Sequence, residues 1–225
     1  MSFFRYCGGK GKLQKTLIHR LQKMVSVIYE YREPFYGGGG FGVDYLEANT
    51  SNLLNVWIND KDVGIACLHT SVVQFPMELC ERINNYLKNW DKLPESEKMI
   101  IRLEKAKSFK DLQNECASWT EMPETADEII NYGLKKLVVH QMSYSGLGIK
   151  SGGPLGGISQ QSKYPIDCRW SPKSMIKKIN KISELYSNFK IRENSCTNRD
   201  FADLILNDDY PAVLYLDPPY YDKGN

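Results

Sequence analysis

The stretch EPFYGGGGFG, residues 33–42, decides the fold that the sequence predicts. It follows VSVIYEYR (25–32), whose β-branched and aromatic residues favour a strand. A short helical pattern and a second strand pattern, LLNVWIND (53–60), come after it. This order of strand, glycine turn, helix and strand predicts two parallel neighbouring strands joined by a right-handed crossover.

The glycines of this turn are typical of a site for an adenosine-bearing cofactor. Gly37, Gly39 and Gly42 satisfy the pattern Gly-x-Gly-x-x-Gly, and Asp60 ends the next strand, where a ribose-binding acid is expected. Glycine permits close approach of the backbone, and the acid accepts hydrogen bonds from ribose hydroxyls. Glu33 puts a carboxylate at the mouth of the turn, which favours a neutral or cationic ligand over a pyrophosphate. A plain tight turn is the structural alternative.

A second edge of the predicted sheet ends in an acidic tetrapeptide. The apolar run 212–216 predicts a buried strand that leads into Asp217, Pro218, Pro219 and Tyr220. Ligands bind at the carboxyl ends of strands in open α/β sheets. Asp217 can accept one N–H of an exocyclic amine and the Pro218 carbonyl the other, and Tyr220 offers a face for a flipped base. A proline turn after a strand is the alternative.

The middle of the chain does not show the alternation of strand and helix patterns. Residues 63–142 predict helices broken at Pro76, Pro94 and Pro123, and the glycine-rich segment 142–164 follows. That segment is either a flexible linker or a loop that approaches a ligand. Regular strand and helix patterns return after Ser171, the expected N-cap of a helix. We therefore expect an α/β, Rossmann-like sheet made of residues 1–64 and 169–225, with an inserted helical and glycine-rich module over residues 65–168.

The bulk composition narrows the class of protein. The chain of 225 residues is 42% hydrophobic with a net charge of +2, so it predicts a folded globular protein whose total charge names no partner. Its six cysteines form no Cys-x-x-Cys pair, which indicates neither zinc nor a disulfide framework. His19, His69 and His140 stand alone and are expected on a helix surface or in the core. Neither a signal peptide nor a membrane span is predicted, so we expect a cytoplasmic protein.

Together these motifs resemble the Dam-type DNA adenine-N6 methyltransferases. The resemblance rests on residues 6–10 (YCGGK), 33–39 (EPFYGGG), 59–60 (ND), 200–201 (DF) and 217–220 (DPPY). It implies a Rossmann-like enzyme that uses S-adenosylmethionine without a metal. It also implies base flipping from double-stranded DNA, transfer of the methyl group to adenine N6, and an inserted module that recognises the target sequence.

The same resemblance assigns candidate roles to individual residues. Asp217, Pro218 and Tyr220 are the candidate catalytic residues. The glycine-rich segment would contact DNA, with Lys150, Lys163 and Arg169 on phosphates and Ser145, Gln160 and Gln161 at base edges. The candidate cofactor-binding residues are Tyr6, Lys10, Glu33, Phe35, Gly37, Gly39, Asp60, Asp200, Phe201 and Asp217.

Several expectations and alternatives remain open at this point. Members of the resembled family continue past the tetrapeptide with further strands, so the C-terminal strands are expected to be missing here. We expect either that the chain is a fragment or that a missing tail is disordered or separately encoded. We expect a monomer of bacterial or phage origin. The alternatives are transfer to cytosine N4 or to an RNA or protein amide nitrogen, a DNA-binding module without catalysis, and an NAD oxidoreductase.

Overall fold

The computed structural model describes residues 2–3, 11–24, 29–51, 55–207 and 211–218. Four strands and eight α-helices are found in these ranges. The strands are β1 Glu30–Glu33, β2 Asn55–Ile58, β3 Lys190–Ile191 and β4 Ala212–Leu214. The helices are α1 Gly11–Met24, α2 Gly40–Glu47, α3 Val63–Gln74, α4 Pro76–Tyr86, α5 Glu95–Ser118, α6 Ala126–Met142, α7 Pro172–Tyr186 and α8 Phe201–Ile205.

The strands form one parallel sheet in the order β3-β2-β1-β4. In its centre Tyr31 pairs with Val56 on one side and with Val213 on the other. The predicted parallel pairing of the first two strands is confirmed. The mixed α/β architecture also confirms the predicted fold class, and the carboxyl ends of all four strands lie at the same edge.

The helix boundaries follow the prolines, as the sequence predicts. Pro76 begins α4 directly after α3, Pro94 precedes α5, and Pro123 lies in the connection between α5 and α6. Pro172 is the first residue of α7, and Ser171 is its N-cap. Proline fixes φ and lacks an N–H, so it is tolerated at the first turn of a helix but not in its interior.

An ion pair lies inside the protein at the sheet. Arg32 and Glu30 on β1 are both almost fully buried, and the Arg32 Nε donates to the Glu30 carboxylate at 2.5 Å. The Arg32 Nη1 also donates to the carbonyls of Leu204 and Asn207, at 2.9 and 2.6 Å. A buried charge is tolerated when it is paired and hydrogen-bonded. These contacts fasten the end of α8 to the sheet.

Helices α3 and α6 pack with almost no space between their backbones. A Cβ atom at Gly133 of α6 would lie 2.8 Å from the Leu68 Cα of α3. Buried side chains of α3 and α6, such as Ile65 and Leu137, belong to the same hydrophobic cluster as Tyr31 and Val56 of the sheet. The boundaries of the inserted module at 65 and 168 remain a prediction.

No helix in the described ranges has by itself the length and apolar character needed to cross a membrane. Residues 63–74 and 76–92 form a bent pair that meets this criterion when its two parts are taken together. The criterion considers length and composition only.

We predict that Gly133→Ala lowers the free energy of unfolding by about 1–3 kcal/mol, because the new methyl group meets the backbone of α3. Alanine is the better helix former, so propensity alone predicts the opposite sign. Urea denaturation measures the change. Gly152→Ala is the control, because a Cβ atom there meets no atom within 4 Å. Equal stability of the two variants would contradict the tight contact of α3 with α6.

Candidate cofactor and catalytic site

Three carboxylates meet at the carboxyl edge of the sheet. Glu33 ends β1, Asp60 follows β2 by two residues, and Asp217 follows β4 by three. Burial, and after it the charges of Asp217 and Asp60, raise the pKa of Glu33, which indicates that both aspartates lie within electrostatic reach of Glu33. The structure therefore brings Asp217 of the predicted tetrapeptide near Glu33, the first residue of the predicted glycine-turn stretch.

The glycine turn is held by the acid that the sequence singles out. Gly37 and Gly39 have positive φ angles of 51° and 67°, which glycine adopts without strain. The Gly37 N–H donates to the Asp60 Oδ2 at 2.7 Å, and the Asp62 N–H donates to the Asp60 Oδ1 at 2.9 Å. Burial raises the pKa of Asp60 to about 6, although both hydrogen bonds and the nearby Lys136 oppose that rise.

Glu33 is almost fully buried beside the turn. The Tyr31 hydroxyl donates to the Glu33 Oε2 at 2.5 Å. Burial raises the pKa of Glu33 well above the usual range. A Cβ atom at Gly42 would overlap the Glu33 carboxylate and the Tyr36 ring, so the third glycine of the motif is required by this packing. Glu33 thus lies under the first turn of α2.

His69 on α3 holds the other side of Gly37. Its Nε2 lies 2.9 Å from the Gly37 carbonyl oxygen, and its ring packs edge-on against Tyr36 with centroids 4.6 Å apart. Burial lowers the pKa of His69 to about 4, so the neutral ring donates its Nε2–H to that carbonyl. The expectation of a core histidine is confirmed, but its contact with the turn was missed. An isolated histidine in a helical pattern gives no sign of such a contact.

Asn59, which precedes Asp60, ties two loops to the end of β2. Its buried Nδ2 donates to the carbonyls of Pro34 and Arg199, at 3.1 and 3.2 Å. Its Oδ1 accepts from the Thr197 hydroxyl at 2.7 Å and from the Arg199 N–H at 2.8 Å. The Asn-Asp pair was part of the predicted motif. The partners of Asn59 could not be predicted, because its place after an apolar strand does not indicate which loops it contacts.

Two aromatic residues of the predicted cofactor-binding set lie next to each other. The rings of Phe35 and Phe201 have centroids 5.5 Å apart, and Phe201 is about half exposed. The Asp200 carboxylate accepts from the Ala202 N–H at 2.9 Å and thus caps α8. The cofactor contacts of these residues remain predictions.

An aromatic stack joins α2 to the strand that leads to Asp217. The rings of Phe41 and Tyr215 are nearly parallel, at 7°, with centroids 3.7 Å apart. The Tyr215 N–H donates to the Arg32 carbonyl at 3.0 Å, so the chain beyond β4 is still paired with β1. Asp217 is partly buried and Pro218 is exposed.

The glycine-rich segment has a defined internal structure. The buried Gln160 donates to the carbonyls of Leu155 and Gly157, at 2.9 and 2.5 Å, and accepts from the Ile166 N–H at 2.8 Å. The prediction that Gln160 reaches a base edge is therefore wrong, because its amide is enclosed and bonded within the segment.

The remaining DNA-contact candidates lie at or near the surface of this segment. Lys150 and Lys163 are exposed, and the Lys163 Nζ lies 5.9 Å from the centre of the Tyr164 ring. Arg169 is partly buried, with its Nη1 3.4 Å from the Ser143 carbonyl oxygen. Ser145 is exposed as well. Their contacts with DNA stay predictions.

Part of the predicted site lies outside the described residues. Tyr6 and Lys10 of the cofactor set, and Pro219 and Tyr220 of the tetrapeptide, fall in ranges for which no placement is described. Within the described ranges, no group of three or more histidine, cysteine, aspartate or glutamate side chains is arranged to hold a metal ion.

A parallel α/β sheet, a glycine turn and acids at the carboxyl edge define a Rossmann-like enzyme for an adenosine-bearing cofactor. Comparison with family models gives the narrower class. Residues 6–224 match the D12 class N6 adenine-specific DNA methyltransferases, and the chain belongs to that family of S-adenosylmethionine-dependent enzymes. A search of curated proteins gave no match. The predicted resemblance and the enzyme class are confirmed, and the NAD oxidoreductase alternative is set aside.

We predict that His69 makes stability fall at acidic pH. Between pH 6.5 and 4 the unfolded chain protonates this histidine and the native chain does not, so its contribution is present above pH 6.5 and lost as the pH falls. The parent's free energy of unfolding should fall by about 3 kcal/mol over that interval because of His69. His69→Gln keeps a donor for the Gly37 carbonyl and should not show this fall. Chemical denaturation at several pH values measures it.

His19→Gln serves as the control, since His19 is exposed on α1. This variant should follow the parent at every pH. A His69→Gln variant with the parent's pH dependence would contradict a neutral His69 at the glycine turn.

Proposed function

We propose that this protein transfers the methyl group of S-adenosylmethionine to N6 of an adenine flipped out of duplex DNA. Membership of the family supports adenine N6 in DNA as the acceptor. The observation that carries the rest is the meeting of Glu33, Asp60 and Asp217 beside the glycine turn.

The charge of the site supports S-adenosylmethionine over a dinucleotide. When bound, this cofactor supplies an electrophilic methyl carbon on a positively charged sulfonium. Asp60 and Asp217 would attract such a cation and repel a pyrophosphate. The Asp60 oxygens already accept one backbone N–H each and retain lone pairs for ribose hydroxyls. Phe35 would line the methionine side, with Asp200 and Phe201 on the adenine side.

Asp217 and Pro218 would activate the acceptor. The lone pair of the adenine amino group is delocalised into the ring, so the nitrogen must pyramidalise before it reacts. Asp217 accepts one N–H and the Pro218 carbonyl accepts the other. The positive charge that develops on N6 during methyl transfer would lie against these two acceptors, which would stabilise it, and the N6 proton would then be released to water.

Base flipping follows from the position of the acceptor. The amino group of a paired adenine lies inside the duplex, and an enzyme that acts on it must extrude the base. The exposed Lys150 and Lys163, with Arg169, would hold the backbone by phosphate contacts, which add affinity without reading sequence. Tyr220 would stack on the extruded base.

We predict that Asp217→Asn lowers the rate of methyl transfer by about 10²–10³-fold, because it removes the negative charge that faces the developing positive charge. S-adenosylmethionine and DNA should still bind. Labelled cofactor and duplex DNA, followed by nucleoside analysis, measure the transfer, and the parent should place the label in N6-methyladenosine.

Asp203→Asn is the matched control, because Asp203 is exposed on α8 and should leave the rate unchanged. Equal turnover by Asp217→Asn and the parent would exclude Asp217 from the proposed role. Label in N4-methylcytosine would move the acceptor from adenine to cytosine.

A further inference from the structure

Lys136 is a lysine in the interior of the protein. Its side chain on α6 is about 1% exposed, and its stem crosses Gly64 in the first turn of α3. A Cβ atom at Gly64 would lie 2.9 Å from the Lys136 Cβ and Cδ, so the glycine leaves space for the stem. Removing an ammonium group from water is unfavourable, and an apolar side chain of similar length would fill the same space without that cost. The charge itself therefore needs an explanation.

A continuous chain of polar contacts leads from Lys136 to the glycine turn. The Lys136 Nζ forms an ion pair with the Asp62 Oδ2. The Asp62 Oδ1 caps α3 by accepting from the Ile65 N–H at 3.1 Å. The Asp62 N–H donates to Asp60, and Asp60 accepts from the Gly37 N–H. The position and the charge of Asp60 thus depend on Asp62 and, through Asp62, on Lys136 of α6.

We propose that Lys136 is a positioning residue for the cofactor: it fixes Asp62 and supplies the positive charge that keeps Asp60 an ionised acceptor for the ribose hydroxyls. The inference rests on the proposed function, which assigns the ribose to Asp60. A charged acceptor forms stronger hydrogen bonds than a neutral one, so the ionised form of Asp60 binds the ribose more tightly.

The groups around Asp60 act in opposite directions. Burial and the charge of Asp62 raise its pKa, while Lys136 lowers it. Asp60 in turn raises the pKa of Glu33 on β1 and of the Cys196 thiol in the loop after β3. With its pKa at about 6, Asp60 is mostly ionised at neutral pH. The N–H groups of Asp62 and Gly37 lower this pKa more than Lys136 does, and the loss of Lys136 would raise it further.

Two other titratable groups within electrostatic reach of Lys136, His140 and Cys116, carry no charge at neutral pH. Burial and Lys136 lower the pKa of His140 to about 4, and burial raises the pKa of the Cys116 thiol to about 12. Asp62 is therefore the charged group that Lys136 faces on α3. An ion pair that served packing alone would not influence the ligand-binding pH profile.

The test uses Lys136→Met, which keeps a long stem without the charge, and Lys135→Met as the matched control. Lys135 is the preceding residue on α6, and its ion pair with Glu115 is partly exposed. Two quantities are measured: the pKa of Asp60 by NMR of ¹³C-labelled aspartate in the ligand-free protein, and the affinity for S-adenosylmethionine by calorimetry between pH 5.5 and 8.5. Asp60→Asn assigns the NMR signal.

In Lys136→Met we expect the pKa of Asp60 to rise. Cofactor affinity should fall about fivefold at pH 6 for a rise of about one pKa unit, because the ionised fraction of Asp60 then drops from about one half to about one tenth. The affinity should recover toward the parent's value at pH 8.5. Lys136→Arg should restore the parent's profile, and Lys135→Met should not depart from it.

Lys136→Gln covers the case in which Lys136→Met fails to fold, because its amide can still donate to Asp62 while the positive charge is absent. The pKa of Asp60 should rise in this variant as well. An unchanged pKa of Asp60 in the folded variants that lack the charge, or an affinity loss that is equal at all pH values, would overturn the inference. A parent that binds DNA but not S-adenosylmethionine would instead refute the proposed function, while the NMR titration would still report on Lys136.

Discussion

The parallel pairing of β1 with both β2 and β4 brings Glu33, Asp60 and Asp217 to one edge of the sheet. Residues separated by almost two hundred positions in the sequence become neighbours because parallel strands end on the same side. Burial and the charges of Asp217 and Asp60 raise the pKa of Glu33 well above its usual range, which favours the neutral form of this acid. Backbone N–H groups at Asp60 and the Tyr31 hydroxyl at Glu33 add hydrogen bonds to the acids. The remaining negative potential suits a ligand with a positive charge.

The glycine turn is fixed from two directions. Asp60 accepts from the Gly37 N–H, and His69 donates to the Gly37 carbonyl. Both polar groups of this one glycine are therefore occupied by side chains of different elements. A turn held in this way keeps its backbone conformation before a ligand arrives, so less ordering is required on binding.

Local patterns in the sequence predicted most of the elements and the main motifs. Ser171 indicated the start of α7, and proline positions gave the breaks between the central helices. The glycine turn and the acids followed from spacing along single strands. These features depend on residues close together in the chain. The fold class and the edge at which the site lies could be predicted for that reason.

The partners of individual buried polar residues could not be predicted. His69 and Gly37 are 32 residues apart, and Lys136 and Asp62 are 74 apart. His69 on α3 and Lys136 on α6 each resemble an ordinary polar residue of a helix. Only the packing of α3 against α6 and the sheet gives these two side chains their partners. Gln160 illustrates the opposite error: a polar residue in a glycine-rich segment suggests exposure, yet its amide bonds with the backbone of that segment.

The stack of Phe41 on Tyr215 has a consequence for the geometry of the reaction. Phe41 lies two residues beyond Gly39 in α2, and Tyr215 lies two residues before Asp217. The loop of the glycine turn and the chain that leads to Asp217 are thus joined by one packed pair of rings. In the proposed reaction, this pair would make the distance between methyl donor and acceptor a property of the folded framework.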